Sequence, residues 1–127
     1  MFALDTVDVL ALESGVSAPF CTRLLGDLGA EVVKVERPGV GDVHRQWDSD
    51  VHGTSTAHVW LDRNKRSIEL NLKRDEGRTI FLELAEKADV VVQNFSPGVV
   101  DRLGVGYQDV VEYNEDVIYL KVSGYGQ

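Results

Sequence analysis

Three observations predict an α/β fold, an open and mainly parallel sheet with flanking helices. Short β-branched runs alternate with stretches of helical periodicity. The runs are almost continuously apolar, as strands buried on both faces are. Glycines, prolines and polar residues gather where the runs end, where open α/β sheets hold their ligands.

The elements follow in order. Residues 7–12 form an apolar run closed by Gly15, Ser17 and Pro19, and read as a buried strand. Ser17 is placed to cap a helix over 19–28, with Pro19 in the first turn, where a missing N–H costs nothing. Phe20, Leu24, Leu25 and Leu28 recur there as one apolar stripe, and Gly29 marks the stop. Residues 31–36 are a second strand, bounded by Gly29 and Pro38. Strand, helix, strand is a crossover unit that sets its strands parallel.

Residues 38–58 lose periodicity, and the whole stretch 38–63 is expected to be a long loop. Residues 66–72 alternate polar and apolar, as a half-buried strand does. A helix over 76–87 follows, capped by Asp75, with Ile80, Phe81 and Leu84 inward. Residues 88–95 are a buried strand that ends on a polar pair. Pro97 opens a short helix ending near Gly104, a further helix covers 107–113, and 117–123 is the last strand.

The 127 residues fit one domain. A net charge of −8 argues against sequence-independent nucleic-acid binding and against anionic membrane surfaces. Local clusters built from Lys34, Arg37, Lys65, Arg66, Lys73 and Arg74 can still meet a phosphorylated small ligand. Cys21 is the only cysteine, which excludes an intrachain disulfide and agrees with a cytoplasmic location. No signal peptide or membrane-spanning run is visible.

Candidate site residues sit at the strand ends. The turn from Glu13 to Pro19 is not a dinucleotide or Walker fingerprint, but its small residues leave a helix N-terminus approachable by phosphate or carbonyl oxygens. Lys34, Glu36 and Arg37 read as an exposed charged rim in which Arg37 could fork onto a phosphate. Lys65–Arg66 and Lys73–Arg74 flank one strand and could hold a diphosphate between them. Asn94, Phe95 and Ser96 end the most apolar strand just before a helix start. His44, His52 and His58 are spaced by eight and six residues, which is no metal-ligand pattern, so no metal is expected and the rings are read as surface or substrate-facing.

Taken in order, the motifs carry a resemblance. Ala18-Pro19, Leu28-Gly29-Ala30-Glu31-Val32-Val33-Lys34-Val35-Glu36, Gly41-Asp42, Asn64-Lys65-Arg66-Ser67-Ile68, Gly77, Ala88-Asp89-Val90, Asn94-Phe95, Pro97-Gly98, Arg102-Leu103-Gly104 and Ser123-Gly124-Tyr125-Gly126 run through the chain. This series resembles the start of the class III CoA-transferases, the CaiB/BaiF family, which includes formyl-CoA and carnitine CoA-transferases.

The resemblance implies a single Rossmann-like, coenzyme A-binding domain fragment, the N-terminal part of the family's large domain. It implies an interlocked homodimer acting on an acyl-CoA and a carboxylic acid, with CoA as substrate and no permanently bound cofactor. Catalysis would be covalent, through an aspartate that lies beyond Gln127, so this chain alone is expected to lack catalytic residues and to expose apolar surface. Val16 and Ser17 would line the CoA cleft near the thioester, and Arg37 would meet the adenosine part. Leu70, Asn71, Leu72 and Lys73 would contact the nucleotide. Asn94, Phe95 and Ser96 would border the pantetheine and thioester, and Arg102 would bind a phosphate.

There are departures from the family pattern. Many members have Ala-Gly-Pro where Ser17-Ala18-Pro19 stands, an aspartate at Asn71 and Asn-Pro at Glu115; formyl-CoA transferase has a glutamine at Val16. Two alternatives stay open beside the transferase: a 2-methylacyl-CoA racemase, and a stand-alone CoA- or nucleotide-binding module.

Overall fold

The structure, a computed structural model, describes residues 1–126. Five strands form one sheet: β1 (Asp8–Leu12), β2 (Glu31–Glu36), β3 (Lys65–Glu69), β4 (Val90–Gln93) and β5 (Ile118–Lys121). All neighbouring pairs are parallel, in the order β3-β2-β1-β4-β5. The central strand β1 aligns Leu10 with Val33 on one side and with Val91 on the other. The order reverses between β1 and β4, which makes their carboxyl ends the switch point of the sheet.

The helices are α1 (Ser17–Asp27), α2 (Thr56–Leu61), α3 (Asp75–Lys87), α4 (Val99–Leu103) and α5 (Tyr107–Val111). One face of the sheet, through Leu10, Leu12, Val35 and Val91, packs on Phe81, Leu82 and Ala85 of α3 and on Val100 and Val110. The other face, through Val9, Ala11, Val32 and Val92, packs on Ala18 of α1. Successive strand residues point to opposite faces, so β1 is apolar from Val9 to Leu12 because both of its faces are covered there.

Several elements differ from the sequence expectation, each for a physical reason. The stretch 38–63 is not a continuous loop. It holds a short 3-10 helix, Val43–Gln46, and α2, both too short for a helical period to show. Helix α1 starts two residues early, at Ser17; its N-cap is Val16, with no side-chain cap. Most of its apolar stripe faces outward: Phe20, Leu24 and Leu28 are exposed, Phe20 by 39%, whereas Leu25 packs inward and Ala18, Pro19, Thr22 and Gly26 are buried. The small face lets α1 lie close to the sheet, and the stripe meets Trp60 at 5.7 Å between rings. Gly29 does end the helix, at φ +107°, with the Ala30 N–H on the Leu25 carbonyl and the Gly29 N–H on that of Gly26. Helix α4 begins at Val99, because Gly98 sits left-handed and breaks the turn that Pro97 opens. Helix α3 begins at Asp75, with Arg74 as its uncapped N-cap.

Gly77 is required where it stands. A Cβ there would lie 2.2 Å from the carbonyl oxygen of Asn71, so α3 reaches the turn after β3 only without a side chain. We predict that Gly77→Ala destabilises the protein by about 1–3 kcal/mol, because the helix must move off that turn. A lower urea midpoint with an unchanged slope is the expected reading.

Candidate functional site

The sheet face that turns toward α1 and α2 is apolar in one half and ionic in the other. Lys34 and Glu36 of β2 and Lys65 and Ser67 of β3 share this face by strand alternation. The crossover 37–64 folds over them. Lys34 is 1% exposed. Its ammonium lies 2.7 Å from Asp42 Oδ2, 2.8 Å from Asp62 Oδ1 and 3.6 Å from Glu13 Oε1. Lys65 donates to Glu13 Oε1 at 2.6 Å and to the Pro19 carbonyl at 2.9 Å. Thr22 donates to the other Glu13 oxygen at 2.6 Å. Arg45 forks onto both oxygens of Glu36 at 2.7 Å each.

The sequence expectation of an exposed rim is therefore corrected at Lys34 and Glu36. The expectation of surface histidines is corrected at His44, which is fully buried. Its Nε2 is 2.6 Å from Asp62 Oδ2 and its Nδ1 is 2.8 Å from the Gly15 carbonyl. His58 Nδ1 also lies 2.6 Å from Asp62 Oδ2. His44, His58 and Asp62 offer three atoms within 4.8 Å of one another. Lys34 and the Arg45 guanidinium, 3.3 Å from His58 Nε2, already place positive charge against that group, which makes it a poor cation site. The Lys65–Arg66 pair is divided: Lys65 is buried on Glu13, and the exposed Arg66 pairs with Glu31. Burial pushes the half-buried Cys21 thiol up, with Glu13 adding to it, so a thiolate is disfavoured.

On the opposite side of the ionic layer, a cleft of about 540 Å³ opens at the carboxyl ends of β1, β2 and β3 and beside Phe95, which follows β4. Its walls include Leu12, Val35, Leu70, Leu72, Phe95, Val99 and Leu103. Size and apolar lining suit a cofactor-sized organic ligand. Arg37 and Lys73 stand at the cleft, both exposed, and among the described residues neither side chain has an ion-pair or hydrogen-bond partner. Glu13, Glu36 and Asp42 also reach it, but each is neutralised from behind by Lys34, Lys65 or Arg45.

Of the residues expected at a site, Arg37, Leu70, Asn71, Leu72, Lys73 and Phe95 come together in this cleft. Asn94 stands behind its wall, with Oδ1 accepting the Ser14 N–H and Nδ2 donating to the Ser14 carbonyl, both at 2.8 Å. Nδ2 is also 3.1 Å from Ser17 Oγ. Val16 and Ser17 lie exposed at the start of α1, and Ser96 lies exposed after Phe95; none of the three lines the cleft. Arg102 is one turn into α4, with its guanidinium over Gly98. Sequence reasoning missed Leu12, Val35 and Leu103. Their only signal was position: they are apolar residues at strand ends or on the last turn of a helix.

The sequence matches the family model for CoA-transferase family III over residues 4–127. The chain belongs to that family. It is 46% identical over 125 residues to the human succinyl-CoA:glutarate CoA-transferase, covering 98% of this chain and 28% of that protein. It is 46% identical over 131 residues to the succinyl-CoA:mesaconate CoA-transferase of Haloarcula marismortui, covering 99% and 33%. The crystal structure of a CaiB/BaiF family protein from Brucella suis superposes with a TM-score of 0.90 at 35% identity, over 98% of this chain and 34% of the other. The chain thus spans about a third of the length of the family III relatives it matches. No helix among the described residues is long and apolar enough to cross a membrane.

The ionic layer of this family III chain makes its stability fall in acid. Burial alone would raise the Glu36 carboxyl; Arg45, Ser67 and the Asp42 N–H outweigh it and bring it from 4.5 down to about 2. A depressed carboxyl stabilises the fold above its ordinary value, and that stability is lost as pH falls through the depressed one. Urea midpoints should therefore drop between pH 4.5 and about 2, and Glu36→Gln should flatten that drop. Lys34→Met strands Asp42 and Asp62 without their cation. We predict a loss of about 3–5 kcal/mol at neutral pH, read from the same titrations.

Proposed function

We propose that the cleft binds coenzyme A thioesters and that the protein serves a CoA-transferase moving CoA between carboxylic acids. The observation that carries this reading is the pairing of an apolar cleft at the sheet's switch point with two unpartnered cations, Arg37 and Lys73, in a chain of −8 net charge. An adenine ring suits the apolar walls, and the phosphates suit the cations. Family membership supplies the chemical class, and relatives of this chain are named for CoA transfer between succinate and other acids.

The chemistry proposed is covalent. A carboxylate attacks the acyl carbon of an acyl-CoA, forming a mixed anhydride and expelling the CoA thiolate. The thiolate then attacks the enzyme's acyl carbon, giving an enzyme thioester and releasing the first acid. The incoming acid repeats both steps in reverse and leaves as its CoA ester. The nucleophile is not one of the cleft's own carboxylates. Glu13, Glu36 and Asp42 are each engaged in short ion pairs and hydrogen bonds with groups of this chain. This chain supplies the binding half, and an aspartate from a further segment of a longer protein would supply the nucleophile.

Calorimetric titration of the chain with CoA tests the binding half. Arg37→Ala and Lys73→Ala should each weaken binding about tenfold, with a shallower salt dependence. No heat of binding at millimolar CoA would sink the proposal. A protein containing this chain that only exchanges the α-proton of an acyl-CoA with solvent deuterium would place the racemase reading ahead.

A further inference from the structure

The turn after β1 is held by side chains brought from elsewhere in the chain. Asn94 takes both backbone groups of Ser14. Asp42 Oδ1 accepts the Gly15 N–H at 2.9 Å, and His44 Nδ1 lies 2.8 Å from the Gly15 carbonyl. Gly15 itself has φ +77°, and a Cβ built on it would meet nothing within 4 Å. Packing therefore does not hold this residue, and the hydrogen bonds do.

A carbonyl oxygen can only accept, so Nδ1 of His44 carries a proton. Nε2 faces Asp62, whose carboxylate is kept ionised by the Lys34 ammonium at 2.8 Å, so Nε2 donates as well. Both donors present at once make the ring an imidazolium. We infer that His44 is a positioning residue whose imidazolium pins the Gly15 carbonyl and thereby sets the turn at the cleft; when the ring gives up one proton, the remaining N–H stays on Nε2 against the Asp62 carboxylate, Nδ1 is left without a hydrogen, and the turn loosens. For its effect on ligand affinity, this rests on the CoA-binding reading above.

The charges that face the ring come from every element packed on it. Asp62 stands at the end of α2, Asp42 in the same segment at 3.4 Å from Nδ1, Lys34 on β2, and the His58 ring on α2 at 6.4 Å. Trp47 meets the ring edge-on. Burial works to remove the proton; Asp62 and then the Gly15 carbonyl retain it against burial and the repulsion of Lys34, and the balance lies above the ordinary 6.5. A raised histidine contributes fully below 6.5, and its contribution is lost as pH rises through the raised value.

The test follows the 15N-labelled chain by NMR from about pH 6 to about pH 10. The Gly15 amide should shift with the same midpoint as the His44 ring, above 6.5. CoA affinity should weaken about tenfold across that midpoint. In His44→Gln, whose amide can donate to only one of the two acceptors, affinity should start weak and show no inflection there. Lys65, lowered from 10.5 chiefly by burial, titrates in both proteins and cancels in the comparison. A Gly15 signal that ignores the His44 titration, or the same inflection in the glutamine variant, overturns the inference. CoA affinity constant through the His44 midpoint overturns it too, with the binding reading intact. Coupled Gly15 and His44 shifts without CoA binding at any pH would uphold the positioning role and remove the CoA reading.

Discussion

The ammonium of Lys34 organises this fold. An ammonium taken out of water costs several kcal/mol unless opposite charges and hydrogen bonds meet it. Here Glu13 arrives from the end of β1, Asp42 from the early crossover and Asp62 from the end of α2. Those three segments are distant in sequence, and the shared ammonium ties them together. Lys65 and His44 add positive charge, so three cations face three carboxylates and the buried group is close to neutral. Such a network adds little net stability over an apolar core of the same shape. What it fixes is position: the crossover can cover the sheet in the one arrangement that satisfies every charge.

That arrangement also decides the electrostatics of the cleft. Glu13, Glu36 and Asp42 border it and would repel a phosphorylated ligand if left alone. Each is bound from behind by Lys34, Lys65 or Arg45, which removes its field from the opening. Arg37 and Lys73 then remain as the uncompensated charges at the mouth. An acidic chain can thus present a cationic site, because the acidic residues that border the cleft are spent internally.

The sheet was legible in the sequence because β-branched runs and their glycine or proline boundaries report burial and turns directly. All five strands lie where those runs predict: β2 keeps its expected bounds, β3 starts one residue earlier and ends three earlier, and the other three are shorter by one or two residues at an end. The strand-end rule also found the side of the sheet that carries the cleft, and with it Arg37, Lys73 and Phe95. The ionic layer was not read, because charged residues at a strand end look the same whether solvent or a crossover covers them. A signal was present. Lys34 lies between Val33 and Val35 in a strand with parallel neighbours on both sides, and such a strand is buried on both faces. A lysine there must find carboxylates, and the aspartates of the crossover are the nearest supply. His44 was hidden for the same reason, since polar contacts bury it, and α2, with Ala57 and Leu61 inward, is too short for its period to stand out.

Helix α1 shows how far the ionic layer reaches. Its periodicity marks an apolar stripe but does not say which side turns inward. By hydrophobicity alone, Phe20, Leu24 and Leu28 belong against the sheet. Yet Thr22 must reach Glu13, and the Pro19 carbonyl must accept from Lys65. Both groups lie on the opposite, small-residue face with Ala18 and Gly26. Turning the stripe inward would strand Glu13 and Lys65 without part of their hydrogen bonding and would push the helix away from the sheet. The cost of unpaired buried charge exceeds what burying three partly exposed side chains returns. The helix is therefore oriented by its polar partners, and its largest apolar residues are left on the surface, Phe20 beside Trp60.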